Sequence, residues 1–424
     1  LTPPLRVLVD CRISPGKSGG VESYLAGLLS GLAATAEPGV RIGFYTPREA
    51  EPFVRASAGA GAEIVASDHR EQRSDGLWGK IAREARRAGD DLAAARARAG
   101  VRGGWSAPKP LRPNAAVERW RPDVVHFPTQ AGFLTSAPSL YQPHDLQHLH
   151  LPELFAPEER AAREALYRPM CDRARIVVAV SSWVADDVAR AYSVARDRIR
   201  VVEYAPPTER YEALTEARAS ALRTRLALPA RFAIYPAQTW PHKNHITLLH
   251  ALAQLRDEGL DVPLVCTGRR NEFFPTIDAE IGRLDLRERV RFLDFVPPDE
   301  LVEIYRSARL TVVPSRFEAA SFCIWESFHL GVPVACSNVT SLPKQLDGCG
   351  LLFEPMDVRA MADAIRRLWT DEQLRARCIE GGRRSVARFT WERTARKFRA
   401  IYRLTAGRPP TAADRALLDA EAML

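Results

Sequence analysis

What most constrains this chain is a rhythm. Short apolar runs alternate with helix-length amphipathic stretches along most of its length, break at Pro206-Pro207, and then resume. Such runs suit strands buried on both faces, and strand–helix–strand repetition leads to parallel sheets with crossover helices. Before the break the pattern predicts strands at Arg6–Asp10, Arg41–Tyr45, Asp123–Phe127, Ser139–Gln142, Ile176–Val180 and Ile199–Val202. Helices are predicted there at Val21–Ala34, Pro157–Arg173 and Trp183–Ala191. After the break, strands are predicted at Phe232–Tyr235, Pro263–Thr267, Val290–Leu293, Leu310–Val313, Pro333–Cys336 and Leu351–Phe353. Helices fall between them at Ile246–Asp257, Ile277–Asp285, Pro298–Arg306 and Val358–Thr370. At 424 residues the chain is long enough for two cores. The reading is therefore α/β, with two Rossmann-like doubly wound domains over 1–205 and 206–389. An amphipathic helix at about 390–405 is expected to return to the first domain, and an Ala- and Pro-rich tail follows it.

The stretch Asp68–Arg121 lacks this rhythm, and Gly103-Gly104, Pro108, Pro110 and Pro113 mark it as an insertion, part helix and part loop. It also holds the charge. Between Arg70 and Arg121 there are 13 Lys/Arg against 6 Asp/Glu, close to the whole formal net charge of +8. Leu77, Trp78, Ile81 and Ala85 recur at helical spacing beside Lys80, Arg83, Arg86 and Arg87. Such a stripe suits an anionic membrane surface and suits packing on its own domain equally well. A plain solvated insertion is the third option. Trp78, Trp105 and Trp120 are interleaved with the cations, but no nucleic-acid-binding fold signature accompanies them, and no nucleic acid is expected.

With 46% hydrophobic residues, 26% charged and no apolar run near 18 residues, no membrane span is expected. The seven cysteines are odd in number, scattered and without a Cys-x-x-Cys pair, which points away from disulfides and toward a reducing cytoplasm. Leu1–Pro4 lead straight into a strand, with no charged and then apolar leader. The expected location is cytoplasmic, and peripheral contact with the inner face of the membrane through 70–121 is left open.

Ligands of open α/β sheets bind beyond the carboxyl ends of strands, where loops feed helix N-termini. Ser14–Gly20 closes with Gly19-Gly20 ahead of a helix, which suits a phosphate, although a plain tight turn has the same sequence. The loop lacks the Gly-x-Gly-x-x-Gly spacing of dinucleotide enzymes, which removes a Rossmann oxidoreductase. Pro143-His144-Asp145 follows a strand, with His148 and His150 close by. No zincin-type glutamate accompanies them, so a hydrogen-bonding loop is favoured and no metal is expected. Lys243, within Trp240-Pro-His-Lys-Asn-His245, is a cation at a helix start, a place to hold a diphosphate. The segment Pro314-Ser-Arg-Phe-Glu-Ala-Ala-Ser-Phe-Cys-Ile-Trp-Glu326 puts Glu318 after a strand and Glu326 in the next helix. Two carboxylates so placed accept hydrogen bonds from ligand hydroxyls, as sugars and riboses need.

From about Arg6 to Leu404 this ensemble resembles the group 1 (family 4) glycosyltransferases, retaining enzymes of the GT-B fold. Glu318 and Glu326 match that family's Glu-x7-Glu signature. Gly331-Val-Pro-Val-Ala-Cys-Ser-Asn338 is similar to the strand and loop after its signature helix, and Arg291-Phe-Leu-Asp-Phe295-Val296 to its base-contacting loop. The resemblance implies that Glu318 contacts the donor sugar, Glu326 the ribose, and Lys243 the diphosphate. It implies that main-chain amides from Ala319 through Ala320 and Ser321 to Phe322 reach sugar hydroxyls or phosphate. Gly20, next to Gly19, matches the family's N-terminal glycine loop, and His144 the histidine near the anomeric end. Glu318, His144 and Lys243 are thus the candidate catalytic residues; Gln238, Arg269 and Phe295 join the donor-binding set.

Three positions depart from the family pattern. Ala237-Gln238 stands where Gly-Arg is usual, leaving Arg269 or Arg270 as substitute cations. Ala319-Ala320-Ser321 replaces Gly-Phe-Gly, and Lys344 replaces the glutamate of Leu-Pro-Glu. The implied reaction moves a hexose-type sugar from a nucleotide diphosphate sugar to a glycan, a lipid-linked saccharide or a small molecule, with retention. The two domains would face a cleft, with the donor on the second. No Asp-x-Asp triplet occurs, so fixed cations and amides are expected to stabilise the leaving diphosphate with no metal and no other cofactor. The rival readings are a sugar-nucleotide epimerase or phosphorylase of the same fold, and a weakened nucleotide-sugar-binding protein.

Overall fold

A computed structural model describes residues 3–16, 19–67, 115–207 and 214–419. The chain divides into two compact units, Leu1–Tyr204 with Trp391–Ala422, and Ala205–Thr390. The first holds strands β1 (Leu5–Asp10), β2 (Val40–Thr46), β3 (Glu63–Ala66), β4 (Val124–Phe127), β5 (Ser139–Tyr141), β6 (Ile176–Ala179) and β7 (Ile199–Val201). All pair in parallel, in the order β3-β2-β1-β4-β5-β6-β7. The order reverses between β1 and β4, and the loops leaving those strands diverge there to leave a crevice. Helix Trp391–Thr405 packs on helix Gly20–Ala34. The approach is close enough that a Cβ at Gly27 would overlap the Trp391 indole.

The second unit repeats the plan with β8 (Ala233–Pro236), β9 (Leu264–Thr267), β10 (Val290–Phe292), β11 (Leu310–Val313), β12 (Val334–Ser337) and β13 (Gly350–Phe353). Its order is β10-β9-β8-β11-β12-β13, again parallel, with the reversal between β8 and β11. Alternation of side chains across each strand builds a core on both faces. Ala233, Tyr235, Leu264 and Cys266 join one cluster with Leu248, Leu252, Ile365 and Trp369. Ile234 and Val265 join the other with Val302, Tyr305 and Leu330.

Several elements differ from the sequence reading. β3 was not predicted: it is a short edge strand whose Glu63 faces outward to pair with Arg41 at 2.7 Å. Helices Glu51–Ala58, Glu216–Arg225, Glu372–Val386 and Ala412–Asp419 were not predicted either. In Glu372–Val386 the pair Gly381-Gly382 reads as a helix breaker. It serves close packing instead, since a Cβ at Gly382 would meet the Phe328 ring at 2.5 Å. Of the basic insertion, Ala115–Trp120 is helical. Trp120 lies under the Arg6 guanidinium at 4.5 Å and donates to Glu63 at 2.9 Å, so it is a packing residue of the first unit. The stripe of Leu77, Trp78, Ile81 and Ala85 with its arginines lies outside the described residues. No described helix is long and apolar enough to cross a membrane.

Candidate functional site

The reversal point of the second sheet gathers the charged residues. The loop leaving β8 ends in a 3-10 turn, Pro241–Lys243, and Asn244 then opens helix His245–Asp257. Asn244 sits at φ +60°. Its amide donates to Pro314 O at 2.9 Å and Pro355 O at 2.7 Å, and its oxygen accepts from Thr247 at 2.7 Å. One fully satisfied side chain therefore ties the Lys243 turn to the ends of β11 and β13. The loop leaving β11 delivers Glu318, and Lys243 Nζ meets Glu318 Oε1 at 2.6 Å. Ser315 donates to the same oxygen at 2.7 Å. The two side chains are 21% and 11% exposed, so the pair is screened by water far less than a surface ion pair yet remains open to a ligand.

Helix Phe322–Leu330 follows, with Ser321 as its N-cap position. Glu326, in its second turn, is buried and accepts from the Tyr305 hydroxyl at 2.7 Å. Burial pushes its carboxyl up to about 7, while the Tyr305 hydrogen bond pulls the other way. Between the two glutamates, Ala319 and Ala320 are half-buried and Ser321 is buried, its amide donating to Gln345. That amide is therefore engaged inside the protein, whereas the sequence reading directed it at a ligand. Gln238 accepts from the Trp240 indole at 2.9 Å. Arg270 pairs with Asp294 at 2.6 Å and lies over the Phe274 ring. Both arginines proposed as substitute cations, Arg269 and Arg270, are exposed. Phe295, beyond β10, is 70% exposed, unusual for an aromatic ring.

The remaining candidates belong to the first unit. Gly19, at φ +54°, precedes helix Gly20–Ala34, and Gly19 O accepts from Glu22 N at 3.0 Å. Glu22 reaches back to Gly16 N at 2.8 Å, placing its own negative charge where a phosphate would be favoured. His144, at φ +63°, uses both ring nitrogens. Nε2 lies 2.9 Å from Pro128 O, which only accepts, so Nε2 carries the proton and Nδ1 accepts from Tyr204 at 3.0 Å. Burial lowers its pKa, which keeps the ring neutral. Behind it Gln142 accepts from Tyr24 at 2.6 Å and contacts His126 at 2.9 Å; His126 in turn meets Tyr402 at 2.9 Å. His148 and His150 diverge, one to Glu164 and one to Asp187. Among the described residues no group of three His, Cys, Asp or Glu is gathered as a metal would need.

Sequence reasoning missed Asn244, Tyr305, Ser315, Thr340 and Gln345 in the second unit, and Gln142 and Tyr204 in the first. All are uncharged, and their types recur in any loop. Asn244 opens a helix, and Gln142 and Ser315 closely follow strands, but Tyr305 and Gln345 lie within helices, where nothing in the sequence marks them.

Comparison with known proteins agrees with this arrangement. The family model described as "Glycosyl transferases group 1" matches residues 223–385, and that described as "Glycosyltransferase Family 4" matches 18–210. The chain is 28% identical over 263 residues to the O-antigen chain mannosyltransferase B of Escherichia coli, covering 62% of this chain and 69% of that protein. It is 29% identical over 254 residues to a D-inositol 3-phosphate glycosyltransferase of Corynebacterium diphtheriae, covering 58% of this chain and 60% of that one. Among solved structures, Anabaena Alr3699/HepE in complex with UDP and glucose superposes with a TM-score of 0.65 at 18% identity, covering 94% of this chain and 99% of that chain. A sucrose-phosphate synthase from Thermosynechococcus elongatus gives 0.65 at 19%, covering 94% and 98%. At such identity the structures speak to fold alone. The two α/β units have the GT-B fold, and the chain belongs to the group 1 glycosyltransferases.

Proposed function

We propose that this protein transfers a hexose-type sugar from a nucleotide diphosphate sugar to a glycan, lipid-linked saccharide or small-molecule acceptor, with retention and without a metal. One observation carries the reading: a half-open Lys243–Glu318 pair at the reversal point of the second sheet. Lys243 offers the positive charge a diphosphate needs, and a helix start lies directly behind it. Glu318 offers the carboxylate a sugar hydroxyl needs. In the reaction the bond from the anomeric carbon to the diphosphate oxygen breaks, and the bond to the acceptor oxygen forms. The acceptor proton passes to the departing phosphate. As negative charge grows on that phosphate, Lys243 stabilises it more than in the ground state, which is what lowers a barrier. Glu326 serves the ribose, and Phe295 with Arg269 the outer part of the nucleotide. His144, held neutral, shapes the first unit's side of the reaction. The names of the relatives, a mannosyltransferase and a UDP- and glucose-bound enzyme, support a hexose on a nucleotide diphosphate.

The test is to incubate the full chain with UDP- and GDP-hexoses, with and without alkyl glycosides and polyprenyl-linked sugars, in excess EDTA. Diphosphate release only with an acceptor, and a product of unchanged anomeric configuration by NMR, is the expected result. Release without acceptor, or activity restored by magnesium or manganese, would contradict it. The cysteine pattern supports a cytoplasmic location, and the surplus charge of 70–121 supports a peripheral membrane contact for a lipid-linked acceptor. Sedimentation with anionic vesicles at low salt, where such attraction is strongest, tests the contact.

A further inference from the structure

The loop from Glu318 to the helix at Phe322 is pinned at both ends, and the pins are side chains of one neighbouring segment. The Thr340 hydroxyl donates to Glu318 O at 2.5 Å and accepts from Glu318 N at 3.3 Å. Ser341 adds a bond to the same carbonyl at 3.0 Å. At the other end, Gln345 accepts from Ser321 N at 2.8 Å and donates to Ser321 O at 2.7 Å. Each pin satisfies both main-chain groups of one residue, as an adjacent strand would. Only Ala319 and Ala320 lie between them. Gln345 is 2% exposed. Thr340 carries φ +51°, a left-handed conformation that β-branched residues avoid, and such strain persists only where surrounding contacts fix it.

We propose that Thr340 and Gln345 are positioning residues for the donor sugar, acting through the main chain of Glu318–Ser321. The loop lacks the glycines that would let it settle around a ligand, and the two pins set its conformation in advance. Glu318 thereby reaches Lys243 and Ser315 from a fixed main chain, and the strained Thr340 is kept because its hydroxyl meets both main-chain groups of that residue. This rests on the transferase reading above.

The experiment compares Thr340→Gly, which admits the backbone but deletes the hydroxyl, with Thr340→Ser, which keeps it, and with Gln345→Ala. The proposal expects Thr340→Gly to lower kcat about tenfold with a melting temperature close to the wild type's, relief of the left-handed strain offsetting the lost hydroxyl bonds and the freer unfolded chain. Thr340→Ser should stay within roughly threefold, and Gln345→Ala should show the glycine variant's loss of kcat together with a lower melting temperature from the two main-chain groups it leaves unpaired. In a Glu318→Gln background, Thr340→Gly should add less than about twofold, because the carboxylate it positions is gone. Calorimetry gives a readout without turnover. The preference for UDP-glucose over UDP, or GDP-mannose over GDP, should shrink in Thr340→Gly while affinity for the bare nucleotide holds. Unchanged kcat and unchanged preference in Thr340→Gly, a large drop in that variant's melting temperature, or a full decrement in the Glu318→Gln background would each overturn the proposal. No transfer by the wild type with any donor would instead overturn the transferase reading, and the calorimetric arm would still decide the positioning role.

Discussion

Two parallel sheets of closely similar strand order carry opposite chemistry at the ends of their central strands. In the second unit the ends of β8 and β11 hold Lys243 and Glu318, charged and partly open to solvent. In the first unit the ends of β4 and β5 hold a neutral web, with Tyr24, His126, Gln142, His144 and Tyr204 satisfying one another. Burial takes His126 down to about 4 and lowers His144, so neither ring carries charge near neutral pH. The charged pair at the end of β1, Asp10 with Arg12, is closed on itself by two hydrogen bonds at 2.8 and 2.7 Å. The sheet supplies the crevice and the loops decide what it attracts. A diphosphate needs fixed positive charge, whereas an acceptor hydroxyl needs only a neutral, shaped, hydrogen-bonding wall.

The largest effect expected is on stability, at a carboxylate of the charged unit. Glu326 has a folded-state pKa of about 7 against an ordinary value of 4.5. The folded chain therefore holds that proton longer than the unfolded one, and stability is lost as pH rises from about 4.5 through about 7. Glu326→Gln keeps an acceptor for Tyr305 and removes the buried charge. Denaturant titration at pH 8 should find it more stable than the wild type by up to about 3 kcal/mol, the gap closing below pH 5. A constant gap across that range would mean that Glu326 is not the titrating group. Donor affinity of the wild type should rise between pH 6 and 8 as Glu326 ionises, and the same variant should bind donor more weakly and lack that rise.

Next comes Glu318→Ala, expected to lower kcat about a hundredfold, about 2.7 kcal/mol, with a smaller change in donor KM. Loss confined to KM would move Glu318 from the reacting sugar to a spectator group. In the neutral unit, Tyr204→Phe removes the hydroxyl that donates to His144 Nδ1 and should cost kcat about threefold, with a shifted pH profile. An unchanged profile would separate Tyr204 from the chemistry. The smallest effect expected is none: EDTA should leave transfer intact, and a loss reversed by added magnesium would mean that neither crevice is complete as it stands.

How much was legible in the sequence follows the same contrast. The strands of both sheets were readable because fully buried strands are apolar runs, and β11 falls where its sequence predicts, Leu310–Val313. β3 escaped because a four-residue edge strand, Glu63–Ala66, carries half a pattern. Helix Glu372–Val386 escaped because Gly382 answers to Phe328 and Gly381 to Cys349 across space, and not to local propensity. In the site, Lys243 and Glu318 were visible because a charge at a strand end is conspicuous, and the structure brings their side chains together. Asn244, Thr340 and Gln345 were invisible because their work depends on which main-chain atoms lie nearby, which only the folded chain specifies. Arg270 reads as a spare cation in the sequence, and in the fold Asp294 pairs with it.

The central claim is that the charged crevice of the second unit, and not the neutral one of the first, holds the nucleotide diphosphate. Calorimetric titration of UDP and GDP into the wild type, Lys243→Ala and Tyr204→Phe tests it most directly. Lys243→Ala is expected to weaken binding of the preferred nucleotide about tenfold or more, about 1.4 kcal/mol, while Tyr204→Phe stays within about twofold. Equal affinity in the wild type and Lys243→Ala, or a loss confined to Tyr204→Phe, would contradict it.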